Sequence, residues 1–337
     1  MRAVAYSVPG PIDREEALQD ITLEMPKAEG HDLLVKIKAV SVNPADTKLR
    51  MSTSPQDGDW KVLGFDASGV VEEIGSEVKN FKPGDAVFYA GSIARPGTNC
   101  EYHLVDERIV GRKPDSLSNT EAAALPLTTI TAWEMLFDRL DVTQPTPQGG
   151  TTILIIGGAG GVGSIAIQLL RALTDLTVIA TASRTKTEEW VRELGAHDVV
   201  NHRQPIAPQI KALGLDAPGF VFSTNHSDSH LNDIVELIAP QGRFGLIDDP
   251  DILDVMPLKR KAISLHWELM FTRSLFNTPD MARQGQLLNE VATLVDSGRI
   301  RSTATEVAGK IDAATLRKVH AQIESGSAKG KIVLEGF

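Results

Sequence analysis

Leu154-Ile155-Ile156-Gly157-Gly158-Ala159-Gly160-Gly161-Val162-Gly163-Ser164 decides the fold of this chain. An apolar, β-branched run ends abruptly in glycines, and an apolar helical pattern follows at once from Ile165 through Leu170. Gly158, Gly160 and Gly163 satisfy G-x-G-x-x-G. Strand, tight turn and helix start, in that order, present backbone N–H groups to a pyrophosphate. Missing side chains let the backbone approach the phosphates and let the helix pack close to the sheet. The bare pattern also fits a plain strand–helix turn; its place between an apolar strand and a helix favours a dinucleotide.

Outward from this turn, the pattern alternates. Strands are expected at 152–156, 177–181, 198–201, 219–223, 243–247 and 262–269, with helices at 162–173, 186–194, 205–213 and 229–238. Such alternation predicts a doubly wound parallel sheet. Residues 1–124 read instead as short strands separated by Gly/Pro turns, at 33–40, 67–75, 86–89 and 101–105, the pattern of a small barrel-like β domain. The change comes near Glu121, where 121–125 and 130–140 look helical, and the loop 144–150 leads into the glycine turn. After Arg273 come two amphipathic helices, 281–296 and 311–323, the second with Asp312 as a cap, and a closing strand at 331–334. The expected division is 1–124 with 274–337 as one domain and 125–273 as the other.

The bulk numbers narrow the function. The 337 residues are enough for two domains, and 42% hydrophobic with 23% charged residues is a globular profile. A formal net charge of −10 argues against nucleic acid or an anionic membrane as a general partner. The single cysteine, Cys100, excludes an internal disulfide and a cysteine-cluster zinc site, and reads as a small packing residue. No run approaches the roughly 20 apolar residues of a membrane helix. The N-terminal Met1-Arg2-Ala3-Val4-Ala5-Tyr6 is too short in its apolar part for a secretory signal, so the cytoplasm is the expected compartment.

An NAD-binding fold usually ends its second strand with a carboxylate that takes the ribose 2′-OH. Here Thr177-Val178-Ile179-Ala180-Thr181 runs into Ala182-Ser183-Arg184-Thr185-Lys186, with no carboxylate. Ser183, Arg184 and Lys186 can donate to a 2′-phosphate, and the planar fork of Arg184 suits it. The expected cofactor is therefore NADPH; the alternative is a solvated basic loop.

Together with the N-terminal motifs, these residues resemble the medium-chain dehydrogenase/reductase superfamily, closest to its zinc-free NADPH:quinone reductase branch. The carriers are Ser41-Val42-Asn43-Pro44-Ala45-Asp46-Thr47-Lys48-Leu49-Arg50, Gly64-Phe65-Asp66-Ala67-Ser68-Gly69-Val70-Val71 and Lys82-Pro83-Gly84-Asp85. Ala122-Ala123-Ala124-Leu125-Pro126-Leu127 with Thr131-Ala132-Trp133, the glycine turn and Gly330-Lys331-Ile332-Val333-Leu334 complete the set. The resemblance implies an α/β chain, with a GroES-like β domain, a Rossmann domain and a cleft between them. It implies that Asn43 and Thr131 lie beside the nicotinamide and that Gly160, Gly161 and Val162 hold the pyrophosphate, alongside Gly158 and Gly163. It implies that Ser183, Arg184 and Lys186 hold the 2′-phosphate and that His202 lies near the adenosine. Ser223-Thr224 and Ile247-Asp248 are implied to line the nicotinamide side, and Lys329 to match a C-terminal basic position.

Zinc-dependent members of the superfamily hold the metal with a Cys, the His of a Gly-His-Glu motif and a second Cys. The matching positions here are Asn43, Phe65 and Leu127, so no metal site is expected. His226 and His230 are four apart but sit in a strand-to-helix loop and read as surface residues. A simple alcohol needs help to lose its proton before hydride leaves, whereas a quinone or enone delocalises the charge itself. The expected activity is NADPH-dependent hydride transfer to a quinone or α,β-unsaturated carbonyl. Asn43, Asp46 and Tyr89 are the candidate polar helpers; for Asp46 the favoured reading is a structural partner of Lys48, Arg50 or nearby backbone. Two alternatives stand beside it: a zinc-dependent alcohol or aldehyde dehydrogenase, and a crystallin-like NADPH-binding protein without turnover. Trp267, in the apolar run 263–271, lies where family members pair strands across a two-fold axis, which implies a homodimer. Phe271 through Phe276 are expected to border an apolar substrate pocket.

Overall fold

A computed structural model describes residues 1–55, 59–146 and 150–337. Part of the loop read at 144–150 therefore lies outside the described residues. The first strands are β1 (Arg2–Tyr6), β2 (Gln19–Thr22), β3 (Asp32–Ser41), β4 (Lys61–Val62), β5 (Ala67–Ile74), β6 (Ala86–Tyr89), β7 (Tyr102–Asp106) and β8 (Val110–Arg112), with helix α1 (Pro44–Ser52) after β3. Helices α2 (Asn119–Ala123) and α3 (Pro126–Trp133) lead through a π-helical turn, Glu134–Arg139, to β9 (Thr152–Ile156). There follow α4 (Gly161–Leu173), β10 (Thr177–Thr181), α5 (Thr185–Glu193), β11 (Asp198–Val200), α6 (Ile206–Ala212), β12 (Phe220–Ser223), α7 (Ser227–Leu237), β13 (Arg243–Leu246) and β14 (Ser264–Trp267). The chain closes with α8 (Thr272–Leu275), α9 (Arg283–Asp296), β15 (Ala304–Gly309), α10 (Ala313–Glu324) and β16 (Lys331–Glu335).

Two compact units result: Met1–Ile130 with Phe271–Phe337, and Thr131–Met270. Both junctions fall a few residues from the expected 124/125 and 273/274. The Leu127 N–H donates to the Asp66 carboxylate at 2.7 Å, which carries the first unit past residue 124. Phe271 packs edge-on against Phe65, with ring centroids 5.1 Å apart, which draws it into the same unit.

The first unit is built on antiparallel pairing around the ten-residue β3, which meets β5, β7 and β16. Its final helix, α10, starts where the sequence placed a cap: the Asp312 carboxylate accepts the Thr315 N–H at 2.7 Å.

The second unit is a sheet of six parallel strands in the order β11-β10-β9-β12-β13-β14. All five residues of β9 are buried, which is why 153–156 reads as an unbroken apolar run rather than an alternating one. Leu154, Ile156, Ile179, Val221, Ile234 and Phe244 belong to one core cluster on the sheet. Burying each such side chain contributes about 1.5–3 kcal/mol. Among the described residues, no helix is long and apolar enough to cross a membrane.

Candidate functional site

In the second unit β9 has β10 on one side and β12 on the other, so the order of winding reverses there. Ligands of open parallel sheets bind beyond the carboxyl ends of the strands at that point. Gly157, at φ +82°, turns the chain out of β9. A Cβ on Gly163 would lie 2.4 Å from the Gly157 carbonyl oxygen and 2.6 Å from the Gly158 Cα; one on Gly158 would lie 2.8 Å from the Ala180 Cβ. These two glycines bring helix and sheet together. On Gly160 the nearest atom would be 3.6 Å away, so its bareness relieves no clash and leaves the backbone approachable. Gly160 caps α4 with extended backbone and makes no side-chain capping bond to the first N–H groups, those of Gly161, Val162 and Gly163. Such a helix start accepts a phosphate, and the turn fits a dinucleotide pyrophosphate.

Beside it, Ser183 is half-buried while Arg184 and Lys186 are exposed at the start of α5. The Thr181 hydroxyl ties strand to turn: it accepts the Gly157 N–H at 3.0 Å and lies 3.2 Å from His202 Nδ1. His230 is half-buried with its ring 6.4 Å from that of His202, so only His226 of the pair expected on the surface is exposed. Ser223 is fully buried and accepts the Ser227 hydroxyl at 2.8 Å. Asp248 in turn accepts the Ser227 N–H at 2.8 Å. Ile247 is half-buried just after β13, and Thr131 is buried within α3.

In the first unit, Asn43 caps α1, and its burial places it in a polar network the sequence did not announce. Asp66 Oδ2 accepts the Ser41 hydroxyl at 2.8 Å, the Asn43 amide at 2.8 Å and the Lys331 ammonium at 3.0 Å. Asp66 Oδ1 accepts the Leu127 N–H at 2.7 Å. Lys331 Nζ also donates to the Val42 carbonyl at 3.0 Å and to Asn43 Oδ1. Asn43, Asp66 and Lys331 are 1%, 0% and 3% exposed, so a buried cation and a buried anion are paired and hydrogen-bonded throughout. The Asn43 amide is thereby fixed at both ends.

Asp46 accepts the N–H groups of Asn43 at 2.8 Å and Gly64 at 2.9 Å. Burial pushes its carboxyl up to about 7, against the pull of those two donors and of Lys331. Lys329, the basic residue singled out in the sequence, is half-buried in the turn before β16, and it is Lys331 that reaches Asn43.

Tyr89 is fully buried, with its hydroxyl beside the His103 ring. His103 Nε2 faces the Pro96 carbonyl at 2.9 Å and so carries the ring proton, leaving Nδ1 to accept the Tyr89 hydroxyl at 3.1 Å. Burial raises the Tyr89 pKa well above the ordinary phenol range and lowers that of His103 to about 4, so both stay neutral. Cys100 is buried too, with its thiol pushed up to about 12, which suits packing rather than nucleophilic attack.

Of the three positions where zinc-dependent relatives need donors, Phe65 packs on Phe271 and Leu127 is a buried leucine of α3. Neither has a donor atom, and the Asn43 amide is held by Asp66 and Lys331. Among the described residues, no group of three His, Cys, Asp or Glu is placed to hold a metal. The residues present do not fit a zinc ion.

Residues 29–115 match the family model of the alcohol dehydrogenase GroES-like domain, and residues 194–334 that of the zinc-binding dehydrogenases. The chain is 39% identical over 336 residues to a zinc-type alcohol dehydrogenase-like protein of Staphylococcus aureus strain MSSA476, covering 99% of each. The chain belongs to the medium-chain dehydrogenase/reductase superfamily. Superfamily membership makes it an NAD(P)-binding oxidoreductase with a GroES-like unit followed by a Rossmann-like one. A human superfamily relative, the mitochondrial NAD(P)H oxidoreductase RTN4IP1, is 32% identical, over 90% of this chain and 81% of that protein. The crystal structure of a Rhizobium etli protein, provisionally assigned as a zinc-dependent alcohol dehydrogenase, superposes with a TM-score of 0.98 at 61% identity. That match covers 100% of this chain and 98% of the other.

Proposed function

We propose that the chain is a cytoplasmic, NADPH-dependent reductase of quinones or α,β-unsaturated carbonyls that works without zinc. The observation that carries this reading is the Asn43–Asp66–Lys331 network, with Phe65 and Leu127 standing where a metal would need donors. The basic turn Ser183–Lys186 supports the phosphorylated cofactor. Reduced nicotinamide, when bound, supplies a hydride. The N–H groups of Gly161, Val162 and Gly163 hold the pyrophosphate, and Ser183, Arg184 and Lys186 hold the 2′-phosphate. Asn43 presents a rigid amide whose orientation is set from both ends, a positioning role. With no Lewis acid to lower the pKa of an alcohol, the suited substrate is one whose own conjugation spreads the incoming charge.

The test is NADPH oxidation by the purified chain with a panel of quinones, enones and aldehydes, before and after dialysis against a chelator. Turnover with quinones or enones that survives dialysis is expected. Stoichiometric zinc whose removal abolishes turnover would establish the alcohol dehydrogenase reading instead. Saturable NADPH binding with no oxidation by any acceptor would establish the non-catalytic one.

We also infer a homodimer. Strand β14 forms one edge of the six-stranded sheet, and Trp267 is 53% exposed on it, with Leu269 just beyond at 52%. An exposed apolar strand edge is a template for pairing with a second copy. Sedimentation is expected to show a dimer for the wild type and a monomer for W267D. A wild-type monomer at micromolar concentration would refute the pairing.

A further inference from the structure

Beside the basic turn of the second unit, positive or protonatable side chains converge from three segments. Arg184 comes from the start of α5, His202 and Arg203 from the loop after β11, and His226 and His230 from the start of α7. The His202 and His230 rings meet edge to face at 6.4 Å. His202 is fixed from behind: the Thr181 hydroxyl, which already accepts the Gly157 N–H, has its proton available for His202 Nδ1 at 3.2 Å. In the neutral ring the hydrogen then sits on Nε2. The histidines do not form a metal site, since no group of three His, Cys, Asp or Glu among the described residues is placed to hold one.

The charges around the two rings are these. His202 feels burial first, then His230, Arg203, His226 and Arg184, all of which disfavour its protonated form. His230 feels burial first, and then Asp233, His226, Asp228 and Asp248. The carboxylates are partly spent elsewhere: Asp233 accepts the Ile206 and Ala207 N–H groups at 3.0 and 3.1 Å, and Asp248 accepts that of Ser227 at 2.8 Å. On α6, Lys211 pairs with Glu236. Both rings are thus held neutral at pH 7 by surroundings that a dianion would invert.

We propose that His202 and His230 form a proton-linked part of the subsite for the 2′-phosphate of the carrier, taking up a proton from solvent when the phosphate dianion binds beside Arg184. This rests on the NADPH reading above and adds to it a residue, His230, and a pH dependence. NADPH binding tightens as pH falls from about 7.5 toward 6.5, because protonation of the rings is then coupled to binding. Below about pH 6 the phosphate itself gains a proton and the advantage fades. NADH, lacking the 2′-phosphate, shows no such dependence.

The experiment is calorimetric titration of NADPH and of NADH into the whole protein at pH 6.5. Two phosphate-free buffers of different ionisation enthalpy, MES and imidazole, give the number of protons exchanged. Uptake of about half to one proton per NADPH is expected, with none for NADH. In H202Q/H230Q the sign is expected to reverse to a small release. A free phosphate with a second pKa near 6 is partly protonated at pH 6.5 and sheds that proton on binding as the dianion. Thermal unfolding checks that the double variant is folded; if it is not, H230Q alone is expected to lose about half of the uptake. NADPH binding with no uptake in the wild type, or with uptake unchanged in the variants, overturns the proton linkage and leaves the cofactor reading intact. Failure of NADPH to bind at any pH overturns the cofactor reading and the linkage with it.

Discussion

K331M is expected to lower the free energy of unfolding by about 3–5 kcal/mol, read as a fall in the urea midpoint at pH 7. The side chain of Lys331 is buried and its ammonium meets Asp66 Oδ2 at 3.0 Å, Val42 O at 3.0 Å and Asn43 Oδ1. Methionine fills most of the volume, so the loss is electrostatic rather than a cavity. Asp66 would keep Ser41, Asn43 and Leu127 as donors but lose its only charged partner in this network. An uncompensated buried carboxylate is far costlier than the same pair removed together. D66N/K331M is therefore expected to recover most of the stability lost by K331M. A loss below about 1 kcal/mol in K331M, or no recovery in the double variant, would show that the two charges do not act as a unit.

The parts of the fold that were legible in the sequence are those where one physical signal dominates. Strands 152–156 and 177–181 are found at Thr152–Ile156 and Thr177–Thr181, because a central parallel strand must be apolar on both faces. The helix ends are marked by Gly160 and Asp312, whose caps are local. Strands β1, β2, β4, β8 and β15 carry no such dominant signal. β1 is five residues with no alternation, and β15 is mostly exposed, so neither shows a period to detect. In the site, the glycines were legible because their constraint lies within one turn. The Asp66–Lys331 pair was not, because its partners are separated by 265 residues. The signal present was a lone aspartate in Gly64-Phe65-Asp66-Ala67 and a lone lysine opening the apolar run 331–334. A charge inside an otherwise buried stretch calls for a partner of opposite sign. The half-burial of His230 is hidden for a related reason: spacing along α7 says nothing of the loop after β11 that brings His202 against it.

R184A is expected to weaken NADPH binding by about 1.5–3 kcal/mol, roughly 10- to 150-fold in Kd, and to leave NADH binding nearly unchanged. Arg184 stands exposed as the N-cap of α5, in a turn from Thr181 to Lys186 that contains no carboxylate. A charge-assisted bond to phosphate is among the stronger single hydrogen bonds a protein makes, and an arginine can make two in parallel. R184K separates the two components, since it keeps the charge but loses the planar fork, and an intermediate Kd is expected. Adding salt should narrow the gap between wild type and R184A, as far as the remaining interaction is long-range and solvent-exposed. The measurement is quenching of intrinsic tryptophan fluorescence by each cofactor at fixed ionic strength and pH. Discrimination is the decisive quantity, because a variant that merely disturbs the turn weakens both cofactors alike. Equal losses for NADPH and NADH would mean that Arg184 stacks on the adenine or supports α5. The preference for the phosphorylated carrier would then have to come from Ser183, Lys186 or the histidine pair.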